Sequence, residues 1–489
     1  MKKYSPLAFL FSLLFAVSAY AGEGRYTLPL TGGGWSLWLD KEASWQNDRL
    51  YLPHEITDLS LLPVNTPTGG WQALNDNLDA VSVEVPGTVE EYLTTSDNPR
   101  PEDFKGVSWW YRKITIPADQ ANKRHLIYFE SVRMRAEVYL DGKLVAYDLI
   151  GETPFHVDIT KEAKPGTEQL LAVRVTNPGG NFHWQDFDIQ KWGEYNIPPA
   201  RSFSGIIGRV KLESVNPVFI SDIYMQNTPE PTKVNAIISF TNETPSSVKQ
   251  DVELTVSEKN RPDKVVFRQL LKHVSFPPGK REMMIPVSVS DAKLWDLDTP
   301  ELYTCNIQIK KGKNTLDRDK KNFGFRWFSA EGVGTDAVLR LNGRRVMLRS
   351  AISWGYFPVT GLIATPEMAE KQVLTAKKLG LNMLNFHRCI GSPVVLEKTD
   401  ELGLLYYEEP GSFHSANHDP FIRTIVNEKL KRMVHRDRSH PSLIIFNLIN
   451  EFGGPLSRDK ELVAKRMNDM REAHAVDPGR IMTLSLIHI

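Results

Sequence analysis

The sequence predicts a multidomain protein in which two β-rich domains precede a domain of alternating strands and helices. Its 489 residues are enough for about three domains of roughly 100–200 residues each. Over residues 26–329, short runs of alternating apolar and polar residues are separated by Gly, Pro, Asn and Asp, as is typical of antiparallel strands. After Gly332, helical periodicity and unbroken apolar runs take turns, which indicates βα units and a parallel sheet.

Composition and charge narrow the class of partner. The chain carries 59 Lys and Arg against 59 Asp and Glu, so its formal net charge is zero. Proteins that bind nucleic acid or anionic membranes usually carry a basic surplus, and we therefore expect a neutral partner. With 41% hydrophobic and 10% aromatic residues the chain is not intrinsically disordered.

Residues 1–21 have the pattern of a secretory signal peptide. Lys2 and Lys3 precede an apolar run over residues 7–17, and Ala19-Tyr20-Ala21 supplies a cleavage site of the A-x-A type. The alternative is a membrane anchor, but the run is shorter than the roughly 20 residues that span a bilayer. We expect an exported protein, periplasmic or extracellular, with no membrane span in the mature chain. The sequence leaves a homo-oligomer open.

Residues 22–215 are predicted to form a β-sandwich. The segment 137–147 alternates in polarity around Asp141-Gly142, a dipeptide that favours the tight turn of a hairpin. Residues 169–176 repeat the alternation, with Leu171, Val173 and Val175 on one face. Because residues 22–210 contain no long amphipathic pattern, a sandwich is favoured over an α/β domain.

Residues 216–330 are predicted to form a second β-sandwich. Alternating strands such as residues 252–256 continue, and a length of about 110 residues is that of an immunoglobulin-like domain. The Cys…Trp…Cys pattern of true immunoglobulin domains is missing, so this prediction depends on size and alternation. Cys305 and Cys389 lie in different predicted domains and are expected to be two buried free thiols, although a disulfide between them is possible in an oxidising compartment. Neither has a metal-ligand spacing.

Residues 331–489 are predicted to form repeated βα units after a hairpin over residues 339–348. Residues 404–407 and 443–446 are short apolar runs typical of buried parallel strands. A first helix over residues 366–379 places Ala369, Val373, Ala376 and Leu379 on one face before Gly380, and a second is lined by Ile422, Val426, Leu430 and Met433. The pattern leaves a doubly wound sheet and a (β/α)8 barrel open. No strand is followed by a nucleotide-binding glycine motif.

Glu451 is the candidate catalytic residue. The apolar strand at 443–446 runs on to Asn450-Glu451 and a Gly-Gly loop, and barrel enzymes place catalytic groups at such strand ends. An apolar strand behind the carboxylate would partly desolvate it, which favours the protonated form that a general acid needs. The pattern by itself leaves open that Glu451 only begins the next loop.

Several segments together resemble glycoside hydrolase family 2, the β-galactosidase, β-glucuronidase and β-mannosidase group. Residues 432–442, followed by Ile444-Ile445-Phe446 and Asn450-Glu451, resemble the signature around the acid/base of that family. Further matches follow in family order: Val85-Pro86-Gly87, Trp110-Tyr111-Arg112, residues 138–143, Ser204-Gly205, Gly208-Arg209-Val210, residues 294–303, Phe323-Gly324-Phe325-Arg326, Leu341-Asn342-Gly343 and residues 380–387. They cover nearly the whole chain after the predicted signal peptide.

The resemblance implies a jelly-roll, an immunoglobulin-like sandwich and a TIM barrel that carry a retaining exo-β-glycosidase of carbohydrate catabolism. Glu451 would then protonate the leaving oxygen of a β-galactoside or β-glucuronide, and a second Glu would attack the anomeric carbon. Asn450 would donate a hydrogen bond to the sugar 2-hydroxyl. His387 would face the sugar or, alternatively, would only pack against neighbouring residues at a strand end. Trp354 would stack on a pyranose or belong to the core.

Departures from the family pattern limit the substrate assignment. Asn385 stands where the family usually has an arginine, and His387 comes one place early for the galactosidase pattern. Glu408 and Glu409 end a strand as family acidic residues do and are interpreted as structural. The magnesium cluster of some galactosidases is not matched at residues 410–414, so no metal and no cofactor is expected.

The length of the chain supports a competing hypothesis. In it the chain is a catalytically inert fragment that acts only as a carbohydrate-binding or structural module. About 150 residues follow Gly332, whereas a barrel takes roughly 250. We therefore expect residues 331–489 to be the N-terminal half of a barrel, truncated before the nucleophile. Glu461 and Glu472 come later, but both lie in a predicted helix over residues 458–475.

Overall fold

The computed structural model describes residues 20–21, 24–76, 78–93, 104–180, 189–198, 203–357, 360–411, 418–452 and 455–484. The predicted signal peptide lies outside these residues except for Tyr20 and Ala21. Among the described residues, no helix has both the length and the apolar character needed to cross a membrane.

The first region of the chain is built of antiparallel strands with two short helices. Its elements are β1 (Tyr20–Ala21), β2 (Tyr26–Pro29), β3 (Gly32–Asp40), α1 (Ala73–Asp76), β4 (Val81–Val85), α2 (Val89–Leu93), β5 (Gly106–Thr115), β6 (Arg124–Phe129), β7 (Arg135–Leu140), β8 (Lys143–Asp148), β9 (Phe155–Asp158), β10 (Glu168–Asn177), β11 (Gln190–Trp192), β12 (Tyr195–Ile197) and β13 (Val210–Val215).

Two sheets of the first region share one apolar core. Their strand orders are β1-β2-β13-β6-β9 and β4-β3-β5-β10-β7-β8, and β11 pairs with β12 as a separate hairpin. Inward-facing residues of both sheets, such as Trp35, Val173 and Phe129, are buried in the same cluster. Two antiparallel sheets around one core agree with the predicted β-sandwich.

The second region also consists of two antiparallel sheets around one apolar core, and it is smaller than the first. Its strands are β14 (Val218–Asn227), β15 (Lys233–Asn242), β16 (Val248–Glu258), β17 (Arg261–Phe276), β18 (Gly279–Ser288), β19 (Tyr303–Lys311) and β20 (Asn314–Phe323). They form the sheets β14-β15-β18 and β17-β16-β19-β20 around a second core that includes Val252, Leu254 and Val256. The predicted alternation of residues 252–256 is confirmed.

The third region combines a small antiparallel sheet with parallel βα units. Its elements are β21 (Phe328–Glu331), β22 (Val338–Leu341), β23 (Arg344–Arg345), β24 (Ser350–Ser353), α3 (Pro366–Lys378), β25 (Met383–Phe386), α4 (Pro393–Leu402), β26 (Leu405–Glu408), α5 (Pro420–Asp437), β27 (Leu443–Asn447), α6 (Pro455–Arg458), α7 (Lys460–Val476) and β28 (Ile481–Thr483). Strand β21 begins before residue 330 and ends after it, so it crosses the predicted domain boundary. It pairs with β22 of the third region.

The parallel sheet has the order β24-β25-β26-β27-β28, so neighbours in space are neighbours in sequence. One face packs on the helices through residues such as Phe386, Tyr406 and Phe446. The opposite face packs near Trp295 and Phe328, which come from the segment that leads into this region. Sequential parallel strands with intervening helices agree with the predicted βα repeat, and closure into a barrel stays a prediction.

Local signals explain where the helices of this region begin and end. The Thr365 side chain accepts a hydrogen bond from the Met368 amide, and Pro366 opens α3. Asp419 caps α5 in the same way by accepting from the amides of Phe421 and Ile422. Such caps satisfy amides that the first helical turn leaves unpaired.

Most local predictions are confirmed, and two are wrong. The turns Asp141-Gly142 and Asn342-Gly343 have positive φ, and Gly380 has φ of 79° after α3. Leu379, predicted to lie on the buried face of α3, is 73% exposed because the helix ends at Lys378. Neither Cys305 nor Cys389 is in a disulfide within the described residues, and Cys305 is buried as predicted. Cys389 is only half-buried, so its predicted burial is wrong, because it lies in the loop after β25 and not in a strand.

Candidate active site

A row of side chains crosses the parallel sheet at the carboxyl ends of its strands. In the strand register Ser353 faces Phe386, Asn385 faces Tyr407, Glu408 faces Phe446 and Asn447 faces Thr483. Because parallel neighbours keep a constant register, one further step aligns Trp354 with His387 and Glu409 with Asn447, and two further steps align His387 with Glu409. The aligned side chains, called the polar row below, are Trp354, His387, Glu409, Asn447 and Thr483.

Direct contacts connect the polar row from one edge of the sheet to the other. The rings of Trp354 and His387 meet edge to face with centroids 4.6 Å apart. Nδ1 of His387 lies 3.5 Å from Oε1 of Glu409. Nδ2 of Asn447 donates to Oε2 of Glu409 across 3.0 Å, and Oγ1 of Thr483 donates to Oδ1 of Asn447 across 3.0 Å.

Strand alternation explains which side chains join the polar row. Successive side chains of a strand point to opposite faces of the sheet. Tyr406 and Phe446 belong to the core that the helices cover, whereas Tyr407 and Ile445 belong to the core on the other face. Glu409 and Asn447, two residues further on, therefore lie on the face away from the helices.

Glu409 is buried at the centre of the polar row. Its exposure is 0%, and Oε1 also accepts a hydrogen bond from the backbone amide of Arg388. Donors from two neighbouring strands thus hold a carboxylate that water does not reach. A buried carboxylate needs such partners because an unpaired charge in the protein interior is costly. This agrees with the interpretation of Glu409 as a structural residue of the pocket.

An ion pair with Arg388 connects Glu451 to the polar row. Oε1 of Glu451 lies 3.4 Å from Nη2 of Arg388, and the Arg388 guanidinium lies 5.8 Å from the centre of the Trp354 ring. The Glu451 side chain is 43% exposed, so it is only partly withdrawn from water. Both Arg388 and Glu451 have positive φ, 54° and 55°, a strained conformation that is often found at functional sites.

Asn450 is almost fully buried beside Glu451. Its exposure is 2%, and its Nδ2 has no hydrogen-bond partner among the described residues. Asn385, at the position of the family arginine, is 8% exposed, and its Oδ1 likewise has no partner in that part of the chain. It lies on β25 two residues before His387, and its register neighbours are Ile352 and Tyr407. Both amides are thus available for further hydrogen bonds.

The structure brings together some of the predicted site residues. Trp354 and His387 are in direct contact, and Glu451 is joined to Trp354 through Arg388. Arg388, Asn447 and Thr483 were not predicted from the sequence. Asn447 follows Ile445 by two residues, so alternation along β27 is the signal that could have found it.

A buried ion cluster supports the site from the helix side of the sheet. Oε1 of Glu408 accepts from the Gly391 amide across 2.6 Å and lies 3.2 Å from Nη2 of Arg436. Arg436 also donates to the Gly391 carbonyl across 2.8 Å and pairs with Asp437. Burial, and after it the Asp437 carboxylate, raises the pKa of Glu408 well above its ordinary value of 4.5. The cluster thus clamps the loop that follows His387 and Arg388.

The chemistry of the site is that of carboxylates, amides, an imidazole and an indole. Within the described ranges, no group of three or more His, Cys, Asp or Glu could hold a metal ion. Amide and carboxylate groups can hydrogen-bond hydroxyl groups, an aromatic ring can cover an apolar face, and a partly exposed carboxylate can transfer a proton. The arrangement is suited to a polyhydroxylated ligand and acid–base chemistry.

Comparison with known proteins connects this architecture to one family. The model described as "Glycosyl hydrolases family 2, sugar binding domain" matches residues 72–198, and the model "Glycosyl hydrolases family 2" matches residues 218–326. The two matches fall on the first and second β-rich regions. The parallel sheet with the polar row lies outside both.

Individual relatives extend the similarity to the third region. A β-galactosidase of Thermoanaerobacter pseudethanolicus is 28% identical over 385 residues, 78% of this chain and 49% of that protein. A β-glucuronidase of Formosa agariphila is 25% identical over 362 residues, 70% of this chain and 36% of that protein. The chain spans about half the length, or less, of these curated relatives.

A solved structure shares the fold. A glycosyl hydrolase family 2 member from Bacteroides cellulosilyticus superposes with a TM-score of 0.75 at 20% sequence identity. The superposition covers 95% of this chain and 56% of that one. At this sequence identity the similarity supports a shared fold only.

Proposed function

The chain belongs to glycosyl hydrolase family 2, and from that premise we propose that it is part of a retaining exo-β-glycosidase acting on β-galactosides or β-glucuronides. The observation that carries the proposal is the polar row, which spans all five parallel strands at their carboxyl ends. Barrel enzymes build their active sites at this end of the sheet. On this proposal residues 331–489 are barrel units, and the two preceding regions are a jelly-roll and an immunoglobulin-like domain.

Glu451 is proposed as the general acid/base. It would donate a proton to the leaving glycosidic oxygen and then take one from the water that attacks the glycosyl-enzyme. Its partial exposure supports exchange of that proton with solvent, and Arg388 fixes its position. The buried Asn450 amide is proposed to donate to the sugar 2-hydroxyl, because its Nδ2 has no partner among the residues described.

His387 and Trp354 are proposed to form one wall of the sugar site. Their edge-to-face contact orients both rings, and Glu409 holds His387 from the other side. A ring in a set orientation loses little conformational entropy when a ligand packs on it.

Turnover of aryl β-glycosides tests the proposal. We expect Glu451→Gln to lower kcat/KM by about 10²–10⁴-fold for substrates with poor leaving groups. The loss should be much smaller for 2,4-dinitrophenyl glycosides, because an acidic phenol leaves without protonation. Glu461→Gln is the matched control, because the Glu461 side chain is exposed on the surface of α7. Proton NMR of the first product should show the β anomer, and an α anomer first would refute retention.

The competing hypothesis is an inert carbohydrate-binding module. It predicts binding of a glycoside without turnover, and the same panel distinguishes the two. If the wild-type protein turns over no member of the panel yet binds one of them, the inert module is the better description.

Export is proposed from the predicted signal peptide. The Lys2-Lys3 pair, the apolar run and the A-x-A site support cleavage after Ala21. Mass spectrometry of the protein from cell fractions should find a mature N-terminus at Gly22 outside the cytoplasm. A cytoplasmic protein that retains residues 1–21 would overturn this proposal.

A further inference from the structure

At its beginning, strand β27 contains one residue more than the neighbouring β26. In the register between them, Tyr406 faces Leu443. The next residue of β26, Tyr407, faces Ile445, so Ile444 is inserted as a β-bulge. The packing shows the same irregularity: Leu443 belongs to the core on the helix side of the sheet, whereas Ile444 and Ile445 both belong to the core on the opposite side.

The bulge decides which face of the sheet Asn447 joins. Asn447 follows Ile445 by two residues, so both lie on the face away from the helices. If Ile444 rejoined the ladder in normal alternation, every later residue of β27 would shift by one position. Asn447 would then face the helices and could not donate to Oε2 of Glu409, which it does across 3.0 Å. The polar row therefore depends on the bulge.

Two buried arginines bind the residue from which the bulge starts. Arg326 comes from the segment between β20 and β21, and Arg480 directly precedes β28. Nη2 of Arg326 donates to the Leu443 carbonyl oxygen across 2.9 Å. Nε of Arg480 donates to the same oxygen across 2.7 Å. Two guanidinium groups from distant parts of the chain thus hold one carbonyl at the start of β27.

The same two side chains also hold the residues just before β27. Nε of Arg326 donates to the Pro441 carbonyl across 3.1 Å, and Nη2 of Arg480 donates to the His440 carbonyl across 2.6 Å. Arg480 is itself held by an ion pair with Asp477. Because these donors come from outside β27, they fix the backbone of residues 440–443 independently of the sheet ladder. Arg326 and Arg480 are called the arginine clamp below.

A gain in stability does not explain the choice of Arg326. It is 1% exposed, it donates to two backbone carbonyls, and its Nη1 has no partner among the described residues. Burial, and after it the charge of Arg480, lowers the pKa of Arg326 to about 9. Burying such a group is costly, and an apolar side chain of similar size is often no less stable. A need to hold these carbonyls in one geometry accounts for an arginine here.

We propose that Arg326 and Arg480 are positioning residues of the active site. By holding the bulge at Ile444, they set the face of Asn447 and, further along the chain, the position of Glu451. Four residues separate the clamped carbonyl from Asn447, about 13 Å of extended strand, so the clamp acts through β27. The role for Glu451 rests on the proposed function of the chain, whereas the role for Asn447 does not.

A double-mutant cycle in urea unfolding tests the role for Asn447 without any sugar. Arg326→Met keeps an apolar stem and removes the donors. Sites this far apart normally act independently, within about twofold in the unfolding equilibrium constant. We expect Asn447→Ala to raise that constant at least about fivefold less in Arg326→Met than in wild type, because Asn447 no longer reaches Glu409. If Arg326→Met does not fold, Arg326→Lys takes its place in the cycle, since lysine cannot bond two carbonyls in the same way.

Arg112→Met is the matched control for the cycle. Nη1 of Arg112 donates to the Leu30 carbonyl across 3.0 Å in the first sandwich, so this substitution also removes an arginine that binds a backbone carbonyl. Its effect on the unfolding equilibrium constant should combine independently with that of Asn447→Ala, within about twofold.

Turnover of aryl β-glycosides tests the role for Glu451. A displaced acid/base should matter for phenyl glycosides, whose leaving group needs a proton, and much less for 2,4-dinitrophenyl glycosides. We expect Arg326→Met to lower kcat/KM about tenfold for the phenyl glycoside and less than about threefold for the dinitrophenyl glycoside. A general loss of folded protein would lower both values equally. Arg112→Met should leave the ratio of the two values unchanged.

The outcomes separate the clamp from the proposed function. Independent effects of Arg326→Met and Asn447→Ala overturn the clamp. Coupling in the cycle together with an equal loss for both glycosides overturns the role for Glu451. If the wild-type protein hydrolyses no glycoside while the cycle shows coupling, the proposed function fails and the clamp on Asn447 stands.

Discussion

The Asn447 side chain donates a hydrogen bond to Oε2 of Glu409 across 3.0 Å and thereby joins β27 to β26 at the carboxyl edge of the parallel sheet. The same Asn447 accepts from Thr483 on β28, while Glu409 also accepts from the Arg388 amide after β25. One amide and one carboxylate thus connect four neighbouring strands. The polar row is a continuous network rather than a set of separate side chains.

Replacing Asn447 by Ala should destabilise the protein. The fully buried Glu409 loses a donor, and an unsatisfied buried acceptor costs about 1–3 kcal/mol. Urea unfolding measures the change in the free energy of unfolding. Asn468→Ala is the control, because Asn468 is exposed on α7 and should change that energy by less than about 0.5 kcal/mol. Equal effects of the two substitutions would contradict the network.

Replacing Gly391 by Ala should disturb the loop that carries Arg388. A Cβ there would lie 2.1 Å from the Phe386 ring and 2.9 Å from Oε1 of Glu408. We expect a loss of about 1–3 kcal/mol in the free energy of unfolding, as for overpacked sites. Hydrogen exchange should report faster opening of the loop. The control is Gly33→Ala, because a Cβ added there has no atom within 4 Å. If Gly391→Ala leaves both the free energy of unfolding and the exchange rates unchanged, the loop accommodates the added Cβ and the prediction is wrong.

The stability of the protein should respond to the titration of Glu408. Its pKa is raised in the folded state, chiefly by burial, so the folded protein holds this proton more tightly than the unfolded chain. The stabilisation from the protonated group is present at low pH and is lost as the pH rises above about 4.5.

Glu408→Gln imitates the protonated side chain and tests that pH dependence. The free energy of unfolding of Glu408→Gln relative to wild type should increase between about pH 5 and about pH 8. Urea titrations at several pH values measure it. Glu461→Gln, at an exposed position of α7, should show a constant difference over the same range. A constant difference for Glu408→Gln as well would mean that the buried carboxyl does not take up a proton in this window.

Replacing Trp354 by Ala should weaken sugar binding more than it weakens the fold. Trp354 contacts both His387 and Arg388, so its removal frees two side chains of the site. We expect about tenfold weaker binding, equivalent to about 1.4 kcal/mol. Calorimetry with the best-binding glycoside measures it. Trp38→Ala in the first sandwich is the control and should leave the affinity unchanged.

Much of the fold could be predicted because its signals are local. Alternation of polarity marked strands such as β10 and β16, and Asp141-Gly142 marked a hairpin turn with positive φ at both residues. Periodicity also located α3, but it extended the buried face to Leu379, one residue beyond the helix. Helix ends depend on capping contacts that periodicity does not record.

The candidate site was only partly predictable. Sequence resemblance drew attention to Trp354, His387, Asn450 and Glu451, and the structure places the first two in contact. Arg388 was not singled out, although it lies beside His387 in the sequence. Its importance comes from Glu451, 63 positions away, to which it is paired at 3.4 Å.

The sequence by itself determined the order of the three regions, the alternation of strands and helices, and a resemblance that points to Glu451. Tertiary structure alone decided that Trp354, His387, Glu409, Asn447 and Thr483 form one row, because that alignment depends on the register between strands that lie far apart in the chain. Register is set by packing on both faces of the sheet, and a shift of one residue would turn each of these side chains to the opposite face.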